Sequence, residues 1–302
     1  MQNAPTRVVS SLPGGGVPAL IILLVVDSLH YVFARLLLPY ISPDITAMYV
    51  MGIATAEVGV YGLATRRLRL GALRRYHWPL LAIGFLVAAS TSLSYRSVEY
   101  VDAGTASLLS QTSTLFALGL GLFWLRERLT RVQIGGALLA VTGTLIITFQ
   151  GSEILRLGSL MVLLAAFMYA VHAAVAKRYG GQIRFLDFFF LRLLYSTGFL
   201  FLFAAGERSL TWPNNTAWLL VVIVGTVDVV ISRALYYVAL RWLKMSVHST
   251  LLTLSPLVAV GLSLLLFGTL PTPRQLLGGL AVIAGTMIVL AHRDSAEHRA
   301  GG

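Results

Sequence analysis

The chain of 302 residues contains no cysteine. That excludes a disulfide framework and any thiolate-held zinc or iron–sulfur site, and it says nothing about compartment. Charge is nearly as scarce. Asp, Glu, Lys and Arg make up 12% of the residues and hydrophobic ones 57%, where a soluble domain carries roughly a quarter charged residues. A deficit that large means that most of the surface does not face water. Acids are fewest, 12 against 23 Lys and Arg, for a net charge of +11. Such an excess can serve nucleic acid, but here the basic residues fill short gaps between long apolar runs, so nucleic acid is excluded as a partner. The sequence also lacks a G-x-x-x-x-G-K-[ST] loop, an H-E-x-x-H pair and a G-x-S-x-G elbow. Those absences argue against an ATP-driven pump and a membrane-embedded hydrolase. Neither a metal nor a cofactor is called for.

What the chain has is apolar length. About 20 apolar residues cross a bilayer core, and ten segments qualify: 17–38, 43–65, 77–97, 102–125, 131–149, 157–178, 185–205, 215–241, 246–268 and 273–291. The first is too long for a signal-peptide core and has no clear A-x-A cleavage site. Turn formers occupy the gaps, among them Pro39, Gly71, Gly151, Gly180 and Pro271. The expected fold is all-α, a polytopic membrane protein of ten transmembrane helices. With the N-terminus inside, sixteen Lys and Arg fall in cytoplasmic segments and four (Arg96, Arg156, Arg208 and Arg274) in outer ones. The bias holds in both halves, which places both termini in the cytoplasm and the protein in the cell (cytoplasmic/inner) membrane. All five tryptophans lie near span ends, where indole rings prefer the headgroup level.

The chain also repeats. A shift of 142 positions superposes His30 on His172, Tyr95 on Tyr237, Ser107 and Ser113 on Ser249 and Ser255, and Gln133 on Gln275. It also superposes Gly136 and Gly143 on Gly278 and Gly285. One offset serves spans 1/6, 3/8, 4/9 and 5/10 without a gap. The unit has five spans, an odd number, so the second copy must enter the membrane upside down. Inverted-topology repeats are the mark of secondary transporters, with the substrate site near the midplane between the copies. The expected organisation is a cytoplasmic tail 1–16, a first repeat 17–149, a connecting loop 150–156, a second repeat 157–291 and a cytoplasmic tail 292–302.

Ser113–Ile147 reads STLFALGLGLFWLRERLTRVQIGGALLAVTGTLII, and Ser255–Val289 reads SPLVAVGLSLLLFGTLPTPRQLLGGLAVIAGTMIV. Both resemble the end of an EamA domain of the drug/metabolite transporter superfamily: a hydrophobic run after proline, a Glu at the helix end, then L-T-x-x-Q-x-x-G and a closing glycine. The first copy has Thr114 where the second has Pro256, and Glu127 is answered by Thr269. The resemblance covers nearly the whole chain. It implies an inverted ten-helix transporter whose cavity is lined mainly by spans 1, 3, 4, 6, 8 and 9. It also implies export of amino acids or similar small metabolites, often with proton exchange, and it names no substrate.

Ionisable side chains inside spans cost at least ~2.5–3.5 kcal/mol each to insert, so each is a candidate for function. Asp27 and His30 lie three residues apart in span 1, on one helix face beside Tyr31, and can load and release a proton; the plain alternative is a hydrogen bond that packs the helix. His172, one turn after Tyr169, is the repeat partner of His30. Asp228 and Arg233 lie in span 8 at a spacing of five, poor for a pair on one α-helix, so Arg233 is expected to meet an acid on another span. Glu57 and Arg192 read as structural ion pairs. Asp228 or Asp27 can instead take the ammonium of an amino acid. Gln111 and Tyr95 join the candidate pathway. Pro256 frees the carbonyl of Leu252, as a hinge or a fixed kink. The partners read from the sequence are the lipid bilayer, a small-molecule substrate and protons; an oligomeric state is not legible. A proton-independent facilitator or channel for small solutes is the alternative to a coupled exporter.

Overall fold

The computed structural model describes residues 16–69, 71–124, 130–149, 153–179, 183–207, 210–235 and 252–300. Glu127, Tyr237, Ser249 and most of the ninth span before its proline lie outside these. Among the described residues every regular element is helical. In chain order they are α1 (Gly16–Leu37), α2 (Pro43–Ala64), α3 (Gly71–Ser97), α4 (Ala103–Ser110), α5 (Ser113–Trp124) and α6 (Arg131–Thr148). Then follow α7 (Glu153–Tyr179), α8 (Phe185–Gly206), α9 (Asn215–Val224), a π-helix (Gly225–Ile231), α10 (Ser255–Phe267) and α11 (Pro273–Ala300). Among the described residues, seven helical stretches are long and apolar enough to cross a membrane. Their outward faces remain apolar: Val60, Leu138, Leu202, Leu265 and Leu277 are all more than half exposed. In water such a surface would be an aggregation liability.

Local chemistry explains the boundaries. Thr130 opens α6 with a capping box, its hydroxyl accepting from the Gln133 amide while the Gln133 side chain accepts from the Thr130 amide. Thr272 and Gln275 repeat that arrangement at α11. The T-x-x-Q of the repeated motif is therefore a helix start that satisfies two orphan amides. Asp102 and Asn214 cap α4 and α9 through the amides of Thr105 and Ala217. At the end of α10 Gly268 takes φ +64°, a left-handed cap that glycine enters without Cβ strain. Gly71–Tyr76 joins α3 through a kink at Tyr76, so the apolar span starts near residue 77, as the sequence indicates. The last helix runs beyond the expected residue 291 to Ala300.

Two spans are interrupted, one of them beside Pro256, where the sequence indicates a hinge or kink, and one without proline. The fourth span is not one helix: α4 stops at Ser110, Gln111 and Thr112 form a turn, and α5 restarts at Ser113. Leu252 precedes a turn at Thr253 and Leu254, and α10 starts at Ser255. These breaks are repeat mates at the 142-residue offset, down to the hydrogen bonds: Leu115 N–H to Thr112 O, and Leu257 N–H to Leu254 O. The second carries Pro256; the first has Thr114 there and breaks all the same, so proline alone does not make the interruption.

The packing of α6 on α11 follows from glycine. A Cβ at Gly136 would lie 2.8 Å from the carbonyl oxygen of Gly285, and one at Gly143 would lie 2.4 Å from that of Gly278; the reverse contacts are equally tight. Two helices therefore touch backbone to backbone at four glycines. Of the other glycines on these helices, Gly279 meets Leu108 of α4, and Gly135 meets nothing. Thr55 of α2 and Thr197 of α8 add a second reciprocal contact. Their hydroxyls are 2.8 Å apart, and the two residues are 142 positions apart. Spans 2 and 7, which carry them, are the fifth pair related by that offset. A residue can touch its own repeat mate only close to an axis relating the two copies.

Candidate functional site

Between the two helix breaks lies a cavity of about 470 Å³. The turns that make the breaks supply Gln111, Ser113, Thr114, Thr253 and Ser255 to its wall. Hydroxyls at the first break bond their own backbone, Ser110 to the Ser107 carbonyl and Thr112 to that of Leu109, both at 2.7 Å. Ser and Thr thus take over helix carbonyls at the point where the helix gives way.

Charged side chains reach the cavity from both halves. Asp27 and His30 come from α1, Arg192 from α8, and Asp228 and Arg233 from the segment that begins with the π-helix. His30 Nδ1 is 2.8 Å from Asp228 Oδ2, with the two side chains 33% and 8% exposed. The imidazole is therefore open to the cavity and the carboxylate nearly closed off. The rings of Tyr31 and Tyr95 stand edge-on to that imidazole, with centroids 5.1 and 5.7 Å away. Asp27 lies beside Ser255 and within electrostatic reach of the Arg233 guanidinium. Tyr169 lies against Arg233 with Arg192 near it. Tyr31 reaches Ser94 of α3 and Ser110 of α4.

The π-helix explains one departure from the sequence reading. A spacing of five puts Asp228 and Arg233 on different faces of an α-helix. Here the chain opens into a wider i→i+5 turn over Gly225–Ile231, and both residues line the same cavity. π-bulges recur at functional sites for this reason. The wide turn is held from α2. A Cβ at Gly225 would sit 2.9 Å from the Val50 carbonyl oxygen, and the Thr226 hydroxyl donates to Glu57 at 2.6 Å. Arg233 and Asp27 of α1 stand in one cavity wall and attract each other electrostatically. His30 pairs with Asp228 across helices, not with its neighbour on α1.

A model of the EamA-like transporter family matches residues 15–149 and again 156–291. The chain belongs to that family. Similar proteins include an uncharacterized transporter, YdfC, of Bacillus subtilis (strain 168), 27% identical over 81% of this chain and 80% of its own. A probable terminal-alkyne amino-acid exporter of Streptantibioticus cattleyicolor is 29% identical over 63% and 65%. A probable amino-acid metabolite efflux pump of Salmonella typhimurium is 38% identical over 23% and 24%. One solved crystal structure superposes with a TM-score of 0.64 at 18% identity, over 91% of this chain and 96% of the other, a likeness of fold. This EamA protein is thus an integral membrane protein of a transporter family, in line with the resemblance read from its motifs.

The EamA cavity gathers Asp27, His30, Tyr31, Gln111, Tyr169, Asp228 and Arg233 from the sequence candidates, and Arg192, read as structural, stands in the wall with them. Span 7, the helix α8, was not among those expected to line it. Tyr95, His172, Glu57 and Pro256 stand off the wall. Tyr95 is 1% exposed behind His30. His172 is buried and shares a 3.3 Å contact with the Tyr169 carbonyl, so repeat equivalence with His30 did not bring it to the same surroundings. Ser90, Thr91 and Ser94 of α3 line the cavity unflagged; the S-T-x-x-S spacing that puts them on one face of a span was the available signal.

Proposed function

We propose that the protein is a secondary transporter that exports amino acids or similar small metabolites across the cytoplasmic membrane by alternating access, in exchange for protons. The observation that carries this reading is the cavity itself, a polar, charge-lined space between two equivalent helix breaks. Discontinuous helices at midplane depth supply half-helix ends and freed backbone groups to a substrate, and intramembrane charges mark ion and substrate paths. The printed names of two relatives, an amino-acid exporter and an amino-acid metabolite efflux pump, supply the substrate class.

Alternating access needs two copies of opposite insertion. Ten spans in two inverted five-helix repeats is the arrangement that the Thr55–Thr197 contact and the reciprocal glycines favour. Both termini then face the cytoplasm. The chain has no native cysteine, so single cysteines report cleanly. With a membrane-impermeant maleimide on intact cells, Ser42→Cys is expected to label and Thr65→Cys to stay unlabelled until the membrane is opened; both positions are exposed. Labelling of both from outside refutes the orientation.

Function is tested by flux. Proteoliposomes are loaded with labelled amino acids, with and without an imposed pH gradient, for wild type and Asp27→Asn. Saturable flux, accelerated by the gradient and lost in the variant, is the expected result. Saturable flux indifferent to the gradient makes the protein a facilitator.

A further inference from the structure

We propose that the substrate's ammonium group and a proton on His30 compete for one carboxylate, Asp228, and that this competition makes the transporter an exchanger. The proposal rests on the amino-acid reading above and adds the residue at which substrate and proton meet. Asp228 is a shared partner by geometry. Its carboxylate projects from the π-helix into the cavity wall, 2.8 Å from an imidazole on α1. The two come from the two different EamA matches. The carboxylate is almost closed off while the imidazole remains open to the cavity, so His30 can gain or lose a proton from cavity water.

The other charged groups narrow the choice of carboxylate. Around His30 the described titratable and charged neighbours are Asp228, Asp27, Arg233 and the rings of Tyr31 and Tyr95. Asp27 is engaged by Arg233 and Ser255, which leaves Asp228 as the carboxylate for an arriving cation. Arg192 and Arg233 stand near Tyr169 in the same cavity wall. The cavity thus offers guanidinium groups as well as a carboxylate, the complement of a zwitterion's carboxylate and ammonium. The repeat mates of Asp228, Arg192 and Arg233 are Leu86, Val50 and Thr91, so this set of charges belongs to the second half of the chain and is not imposed by the pseudo-symmetry.

The exchange step balances. An imidazolium at His30 and an ammonium at Asp228 are two like charges on one carboxylate within contact distance, a costly arrangement in a low-dielectric site. When the ammonium seats, the imidazolium passes its ring proton to cavity water and remains as neutral imidazole. When the proton returns from the other side, the ammonium loses its partner and leaves. One positive charge replaces another at each half-cycle.

The experiment uses the purified full-length protein in detergent. The twenty protein amino acids are first tested singly for a rise in melting temperature. For one that binds, proton release is read with an indicator in weak buffer near pH 6, and affinity is measured across pH. Expected are release of up to one proton per bound molecule and weaker binding at lower pH, approaching tenfold per pH unit in the fully competitive limit. His30→Gln is expected to abolish both the release and the slope. Asp228→Asn is expected to erase the preference for the amino acid over the 2-hydroxy acid with the same side chain. Binding without proton release, or a pH slope that survives in His30→Gln, overturns the competition and leaves the amino-acid reading standing. If no amino acid binds, that reading falls and the competition with it. The wild-type measurements decide the matter even where a variant does not fold.

Discussion

Gly143→Leu is expected to be among the most damaging single changes outside the cavity. The first atom of the new side chain would fall 2.4 Å from the carbonyl oxygen of Gly278 and 2.8 Å from the amide nitrogen of Val282. Both are backbone atoms, which cannot rotate out of the way as a side-chain tip can. Overpacking of a closed contact costs about 1–3 kcal/mol and occasionally more, and with rigid helices on both sides the upper end applies. The gain in helix propensity on replacing glycine, about 1 kcal/mol at most, does not offset it. Gly135→Leu is the matched control, eight residues away on the same helix with nothing within 4 Å of its Cβ; its effect should stay within about 0.5 kcal/mol. Thermal unfolding of both variants in one detergent checks the pair. Equal melting temperatures would show that α6 and α11 do not meet through these glycines.

Arg96→Gln should release from one another three helix ends at the face that the proposed orientation puts outside. Arg96, near the end of α3, donates through Nε to Asp44 at the start of α2 at 2.5 Å and through its other arm to Glu207 at the end of α8. The cluster therefore ties both halves of the chain together at one face. At the repeat-equivalent positions the sequence has Val238, Leu186 and Thr65, which cannot form an ionic tie at the opposite face. A partly exposed pair is worth little alone, but networks hold better, and Asp44 is only 13% exposed. About 1.4 kcal/mol, tenfold in an equilibrium, is the effect expected for loss of the shared cation. The readout is Ser94→Cys, which lines the cavity. Its labelling by an impermeant maleimide from outside should rise roughly tenfold in the Arg96→Gln background, and high salt should move the parent protein in the same direction. An unchanged rate would mean that the cluster staples helices without controlling access.

The sequence carries the helices plainly because an apolar run of some twenty residues has few other fates. It carries the repeat because one offset matched unlike residue types at once. The interruptions were less legible. Around Gln111 there is neither glycine nor proline, only the polar run Ser110–Thr114, whose hydroxyls compete for backbone carbonyls. Such a run also occurs in unbroken membrane helices, so it is a weak signal by itself. The π-helix over Gly225–Ile231 leaves no local mark that separates it from an α-helix; its anchors, Val50, Ile53 and Glu57, are distant in sequence. The partner of His30 was hidden for the same reason. Asp27 lies three residues away and Asp228 lies 198 away, and helical periodicity reports only the nearer one.

The glycine contact between α6 and α11 has a consequence for ancestry. Gly136 meets Gly285 and Gly143 meets Gly278, so each copy offers the other the same surface. A single copy inserted both ways would fit itself by the same four glycines, as an antiparallel homodimer. Joining the copies in one polypeptide removes the need for dual insertion and for finding a partner. It also lets the halves diverge: a dimer of identical chains cannot hold aspartate on one side of its axis and leucine on the other, as this chain does at Asp228 and Leu86.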